Sequence, residues 1–346
     1  MIKLLLVPLL FTGVSSAVPI CPIQYQSRTL SPYQWFNIFT LCLTPLAVHI
    51  AGGVPSPIIL SGQKPHWTNR LALFNPISIL WRYYTILDRR IRWSSSWNGT
   101  VLAASNAIFW REDHWDGSEE MIGESSHFLP HIPTATRVNI LSVSSLTSVI
   151  VAVQGISAAV YVQSGANTAD SSVFFQPLAL FGLYRLPSAI RLSNEVVYTE
   201  SRSSEKLECN GPVFGVRSWR GVLYRCWWVG SATVLMLWAI YESAGDGSCA
   251  CIIVSSLAQR IFYCGLLVSL MGIHTFYIVK GKSTTTIIPC AGDTWYKLFT
   301  CVVILAAIAS IILSSLEMMI TECGRDFSLY TTCAIKEEWC YQQSAG

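Results

Sequence analysis

The sequence predicts an all-α, polytopic membrane protein, with a cleaved signal peptide followed by about six transmembrane helices. Three observations lead there. Charged residues make up 12% of the 346, about half the usual share of a soluble domain. The mean hydropathy is +0.44. Several apolar stretches are long enough to cross about 30 Å of hydrocarbon. Thirteen tryptophans and fourteen tyrosines add amphipathic rings that favour the boundary between membrane and water.

The chain opens MIKLLLVPLLFTGVSSAVP. Lys3 supplies a basic start, Leu4 to Val14 an apolar core, and Ser15-Ser16-Ala17 a small-residue end, so residues 1–17 read as a signal peptide. Residues 18–52 hold a lumenal N-terminus and the first span, 35–52. Residues 53–137 read as a cytoplasmic loop region, amphipathic in one part and acidic in another. A helical membrane bundle follows over 138–320, with strong spans at 138–162, 222–241, 251–279 and 298–320. A weaker segment, 173–190, carries Pro177, Arg185 and Pro187. Residues 321–346 form a lumenal, cysteine-containing tail.

Orientation comes from the bias of Lys and Arg toward cytoplasmic loops. A cleaved signal peptide leaves the mature N-terminus in the lumen, so 53–137 lies inside with Lys64, Arg70, Arg82, Arg89, Arg90, Arg92, Arg111 and Arg137. Residues 163–172 and 242–250 hold no basic residue and belong outside. Arg191, Arg202, Lys206, Arg217 and Arg220 belong inside, as do Lys280, Lys282 and Lys297. The alternation closes only if 173–190 crosses, which gives six spans and a lumenal C-terminus. The destination is the endoplasmic reticulum or the plasma membrane. The one sequon, Asn98-Gly99-Thr100, then falls on the cytoplasmic side and is expected to carry no glycan.

Residues 82–93, RYYTILDRRIRW, are charge-dense for this chain. In helical register Ile77, Leu80, Trp81, Tyr84 and Ile91 share a partly apolar face. Arg82, Arg89, Arg90 and Arg92 flank it as a membrane-surface basic patch, matched to anionic lipid headgroups on the cytoplasmic side. A net charge of +3 and the intrusion of Asp88 into the patch argue against a nucleic-acid partner.

Cysteine usage follows the topology. Six of the twelve fall on the oxidising side: Cys21, Cys249, Cys251, Cys323, Cys333 and Cys340. They are candidates for disulfides, with fifteen connectivities open. No zinc array is present, since Cys249 and Cys251 are separated by a single residue. His127 and His131, in HFLPH, have metal-ligand spacing, but Pro130 between them disfavours a shared helix face. No phosphate-loop, dinucleotide, nucleophile-elbow or zinc-protease motif occurs. No catalytic residue, cofactor or metal is therefore assigned.

Ionisable residues inside spans are candidate functional groups; here they are His49, Arg225, Arg260, His274 and Glu317. Arg260 lies twenty residues from Lys280, and Glu317 twenty from Lys297. At 1.5 Å per residue each sits about 30 Å up its helix. Equal depth on consecutive antiparallel spans makes Arg260 and Glu317 a candidate intramembrane ion pair.

FNPISILWRYYTILDRRIRW, AASNAIFW and WDGSEEM, with VAVQG in the next span, lie between Trp67 and Gln154. This quarter of the chain resembles multi-pass membrane proteins of filamentous fungi. The resemblance implies membrane residence and transfers no residue role. Three functions stay open at this point: a non-catalytic accessory, scaffold or sensor; a small-solute transporter or channel; and a membrane-embedded enzyme acting on a lipophilic substrate, with fungal secondary metabolism as its setting.

Overall fold

Asn75 and Pro76 start the central helix. The Asn75 side chain accepts the Ile77 N–H at 2.9 Å, and Pro76 occupies the first helical position, where its missing N–H costs nothing. The computed structural model describes residues 53–55, 57–128, 214–244 and 254–316, together with residues 146, 149, 150, 153, 198 and 211. In chain order these form strand β1 (Pro57–Ile59), helix α1 (Trp67–Leu71), a 3-10 turn (Ala72–Phe74), helix α2 (Pro76–Arg92) and helix α3 (Gly99–Asn106). Strands β2 (Ile108–Arg111) and β3 (His114–Asp116), helix α4 (Glu120–Ser125) and a 3-10 turn (Ser126–Phe128) come next. Three long helices close the list: α5 (Trp219–Ala244), α6 (Val254–Val279) and α7 (Thr294–Leu316).

The sheet has the order β1-β2-β3. β2 and β3 form a hairpin with Arg111 opposite His114. Its two-residue loop holds Glu112 in the left-handed region at φ 53°. β1 pairs in parallel with β2, Pro57 opposite Ile108, and α1, α2 and α3 supply the long crossover that a parallel pair needs. Asn98 begins α3 by accepting the Val101 N–H at 2.9 Å.

In the bundle α6 packs against both α5 and α7, and α2 leans on α5 and α6. Trp81 of α2 is fully buried at this junction. Its ring meets His274 edge-on at 5.2 Å and Tyr84 at 5.4 Å. Tyr84 in turn stacks on Tyr224, with ring planes 6° apart. The start of α2 is pinned to α6 and α7. Asn75 donates to the Thr300 hydroxyl at 2.9 Å, Ser78 shares a 2.7 Å hydrogen bond with the Tyr296 hydroxyl, and the Ile77 carbonyl meets His274 Nε2 at 3.1 Å.

Those contacts lie at one end of the bundle. Trp228 is nine residues into α5, His274 five residues before the end of α6, and Thr300 six residues into α7. At 1.5 Å per residue all three sit about 8–14 Å below the same end. α2 is thus wedged into the mouth of the three helices, with its C-terminal half against the first two turns of α5.

The long helices turn large apolar side chains outward. Leu223, Val234, Ile261, Val279, Val302 and Leu305 are each 60–80% exposed. Leu146, Val149, Ile150 and Val153, from the expected second span, are exposed as well. Among the described residues one helix, Arg260–Val279, is long and apolar enough to cross a membrane, and Thr294–Ser310 is a shorter apolar stretch. Only 22% of the Arg260–Val279 window is buried, whereas the core helix of a soluble protein is mostly covered.

The described residues are mostly helical, with a three-stranded sheet as the exception. One expectation is corrected: residues 57–128 carry a short three-stranded sheet among their helices, so the fold is not purely α. The strands are three or four residues long, too short to show an alternating pattern, and the parallel pairing joins segments about fifty residues apart. The expected spans 222–241, 251–279 and 298–320 coincide with α5, α6 and α7. The signal peptide, the spans 35–52 and 173–190, most of 138–162 and the tail lie outside the described residues, and the six-span count with them.

Candidate functional site: a buried arginine–carboxylate cluster

A helix with an apolar face flanked by arginines is expected to leave those charges at a surface. α2 instead buries Arg82, Asp88, Arg89 and Arg92, the last three at 0% exposure. Each charge needs a partner inside the protein. Asp88 and Arg92, one turn apart, pair at 2.8 Å. Arg92 also pairs with Glu119, just before α4. Arg225, from the second turn of α5, reaches Asp88 at 3.6 Å. One carboxylate thus joins α2 to α5, and one guanidinium joins α2 to α4.

The other two arginines hold backbone rather than carboxylates. Arg82 donates to the carbonyls of Gly53, at 3.0 Å, and Asn106. Arg89 donates to the carbonyl of Thr284 at 2.9 Å and to that of Gly117. The flat guanidinium, with five donors, suits such bridging between loops. Arg89 fastens the loop after β3 to the loop between α6 and α7.

Burial sets the electrostatics. It pushes the Asp88 carboxyl above the usual carboxylate range, against the pull of Arg92 and then Arg225. Burial lowers Arg89 to about 10, with Glu119 the largest opposing influence. It also pulls down on Arg92, but the hydrogen bond that Arg92 donates to Glu119 and the Asp88 charge outweigh it and hold that guanidinium above its ordinary value. Polar atoms remain without a hydrogen-bond partner in the cluster: Asp88 Oδ1, Arg89 Nε and Nη1, and Arg92 Nη1.

Gly117 is the joint of this arrangement. Its carbonyl accepts from Arg89 and from the Thr286 N–H at 3.0 Å. A Cβ there would lie 2.4 Å from Thr286 Oγ1 and 3.2 Å from the Ile287 backbone nitrogen. Gly117→Ala is expected to cost about 1–3 kcal/mol by forcing the two loops apart. A lowered midpoint in a thermal unfolding scan of the purified protein checks this; an unchanged midpoint contradicts the close approach.

His274 completes the junction. Trp228 Nε1 donates to its Nδ1 at 3.2 Å. An indole nitrogen only donates, so Nδ1 carries no proton and Nε2 donates to the Ile77 carbonyl. The neutral imidazole therefore ties α5, α6 and α2 together. A cleft beside the cluster, lined by Gly53, Ser78, Arg82, Ile108, Thr286 and Ala291 among others, leaves about 10 Å³ for solvent. That is about the room one water needs. Among the described residues no group of histidine, cysteine and carboxylate side chains has the makings of a metal site.

The basic patch expected at the membrane surface is corrected here. Arg82, Arg89 and Arg92 are buried and engaged, and only Arg90 is half-exposed. Arg90 donates to the Ser94 carbonyl and lies 5.3 Å from the Trp97 ring. The i,i+4 spacing of Asp88 and Arg92 was the visible sign of pairing. Glu119 gave no sign, because its partner is brought to it by the fold. Arg225 and His274, flagged as ionisable residues in spans, both belong to the site. Arg260 is buried, while its expected partner Glu317 lies outside the described residues. So do Cys21, Cys249, Cys251, Cys323, Cys333, Cys340 and His131. His127 sits in the 3-10 turn after α4. Cys226, Cys290 and Cys301 are free thiols.

No protein-family model matches the chain, and neither curated proteins nor solved structures give a match.

Proposed function

We propose that the chain is an integral membrane protein with a non-catalytic accessory or scaffolding role, in which residues 53–128 form a folded cytoplasmic cap on the ends of α5, α6 and α7. The carrying observation is the division of the surface. Large apolar side chains point outward along the long helices, and the charge-rich fold is docked at one end of them. The basic residues assigned to the cytoplasm from sequence also gather at that end: Arg217 and Arg220 precede or begin α5, Lys280 and Lys282 follow α6, and Lys297 lies in the first turn of α7.

The buried arginines fit a structural role. They are spent on backbone carbonyls and on Asp88 and Glu119, and the neighbouring cleft takes a single water. Alkaline carbonate extraction tests membrane integration. The full chain is expected in the membrane pellet, and release into the supernatant would overturn the reading. Gene deletion tests the role. The abundance of a co-purifying membrane protein should fall while solute flux and the metabolite profile stay unchanged. A missing product would put an enzyme in its place, and a lost flux a transporter.

A further inference from the structure

The cluster at the bundle mouth takes up three of the four arginines first matched to lipid, Arg82, Arg89 and Arg92, and a different basic surface is left exposed. α6 ends in a tight turn. Lys282 N–H bonds to the Tyr277 carbonyl and Gly281 N–H to the Ile278 carbonyl, both at 3.0 Å. Gly281 takes the left-handed φ of 70° that this helix ending needs. The turn presents Lys280 and Lys282 on an exposed corner. Lys280 Nζ rests 4.3 Å from the Phe276 ring.

At the start of the neighbouring helix α5, Arg217 in the preceding turn and Trp219 and Arg220 in the first turn are exposed. The Arg220 guanidinium lies 4.6 Å from the Phe214 ring and 5.5 Å from that of Trp219. α5 and α6 are packed together, and Trp228 touches His274. Arg220 is eight residues from Trp228 and Lys280 six residues from His274, both toward the same end, about 12 and 9 Å. The cations therefore stand at one level. Directly beside them on the same helices come Leu223, 64% exposed, and Val279, 80% exposed. The exposed acidic residue at that end, Asp293, is engaged by the Trp295 indole N–H at 3.0 Å.

We propose that Arg217, Arg220, Lys280 and Lys282, framed by Trp219 and Phe276, form a docking surface for anionic phospholipid headgroups. The site rests on the membrane reading given above. An exposed apolar face running straight into aromatic rings and then into cations matches a bilayer's own sequence of acyl chain, interface and phosphate. Arg217 and Arg220 also stand at the positive end of α5, whose first turn holds no acidic residue. An anion there offsets charges that otherwise oppose the helix dipole.

The test uses the full-length chain purified in neutral detergent, with lipid retention read by native mass spectrometry. Phosphatidylserine is offered against phosphatidylcholine. The wild type should retain the anionic lipid preferentially. Replacing Arg217, Arg220, Lys280 and Lys282 singly by Gln should weaken retention about fivefold each, the equivalent of about 1 kcal/mol per cation near the surface. The combined variant should lose the preference altogether. Lys64→Gln with Arg70→Gln, exposed cations outside the belt, should change nothing. Circular dichroism of each variant establishes that the helices persist; a combined variant that loses helix is replaced by the single variants. Equal retention of the two lipids, unchanged retention in the folded variants, an equal loss in the Lys64/Arg70 control, or displacement by inorganic phosphate would overturn the assignment. Release by alkaline carbonate would instead remove the membrane reading, whichever way the lipid assay falls.

Discussion

Asp88→Ala is expected to destabilise the protein by about 3–5 kcal/mol, because it strands buried charge rather than merely removing a contact. Asp88 is fully buried, with Arg92 at 2.8 Å and Arg225 at 3.6 Å. Without the carboxylate, Arg225 keeps its charge at the α2–α5 contact with no counterion there. Arg92 keeps only Glu119. The pair itself is a poor source of net stability, since burying two charges costs about what their attraction returns. Replacing both partners with apolar residues, Asp88→Leu with Arg225→Met, should therefore recover most of the loss. Thermal unfolding of the detergent-purified protein reads the effect, and a double-mutant cycle should give a coupling of about 1–3 kcal/mol. Strictly additive losses would mean that Asp88 and Arg225 do not act on one another.

Trp81→Ala should cost about the same, 3–5 kcal/mol, by a different route. The indole fills the space between α2 and α6, against Tyr84, His274 and Tyr277. Its Nε1 donates to the Thr285 carbonyl at 3.0 Å, so truncation opens a cavity and orphans a carbonyl as well. Trp81→Phe should fall between the variant and the wild type: it keeps part of the ring and loses the donor, worth about 1–3 kcal/mol for the buried carbonyl left behind. A loss of near-ultraviolet circular dichroism with far-ultraviolet signal retained would show that packing at the mouth, not helix formation, has failed. An unfolding midpoint within error of wild type for Trp81→Ala would remove Trp81 from the junction.

The long elements were legible because their signals are local. Apolar runs over 222–241, 251–279 and 298–320 gave α5, α6 and α7, and the spaced apolar set from Ile77 to Ile91 gave α2. Where α2 goes was not legible. Its arginines and tyrosines read as a surface, since burial of a charged side chain depends on partners that sequence spacing does not reveal. Glu119 meets Arg92 across twenty-seven residues. Gly117 and Thr284, the carbonyls that Arg89 joins, are further still from one another along the chain. Only Asp88 and Arg92, a turn apart, carried a local hint of a buried network. The sheet was missed for a related reason: β1 and β2 are short, and their parallel pairing is closed by a crossover of three helices.

Protease access in sealed microsomes is the most direct test that residues 53–128 cap the cytoplasmic ends of membrane-crossing helices. A cleavage site is inserted after Gly62, in an exposed part of the cap, and a second, in a separate chain, after Asp246, between α5 and α6. The site after Gly62 should be cut by added protease without detergent, and the site after Asp246 only once detergent opens the vesicle. Cutting at both sites in intact vesicles would mean that α5 and α6 do not cross the membrane, and protection at Gly62 with cutting at Asp246 would invert the orientation.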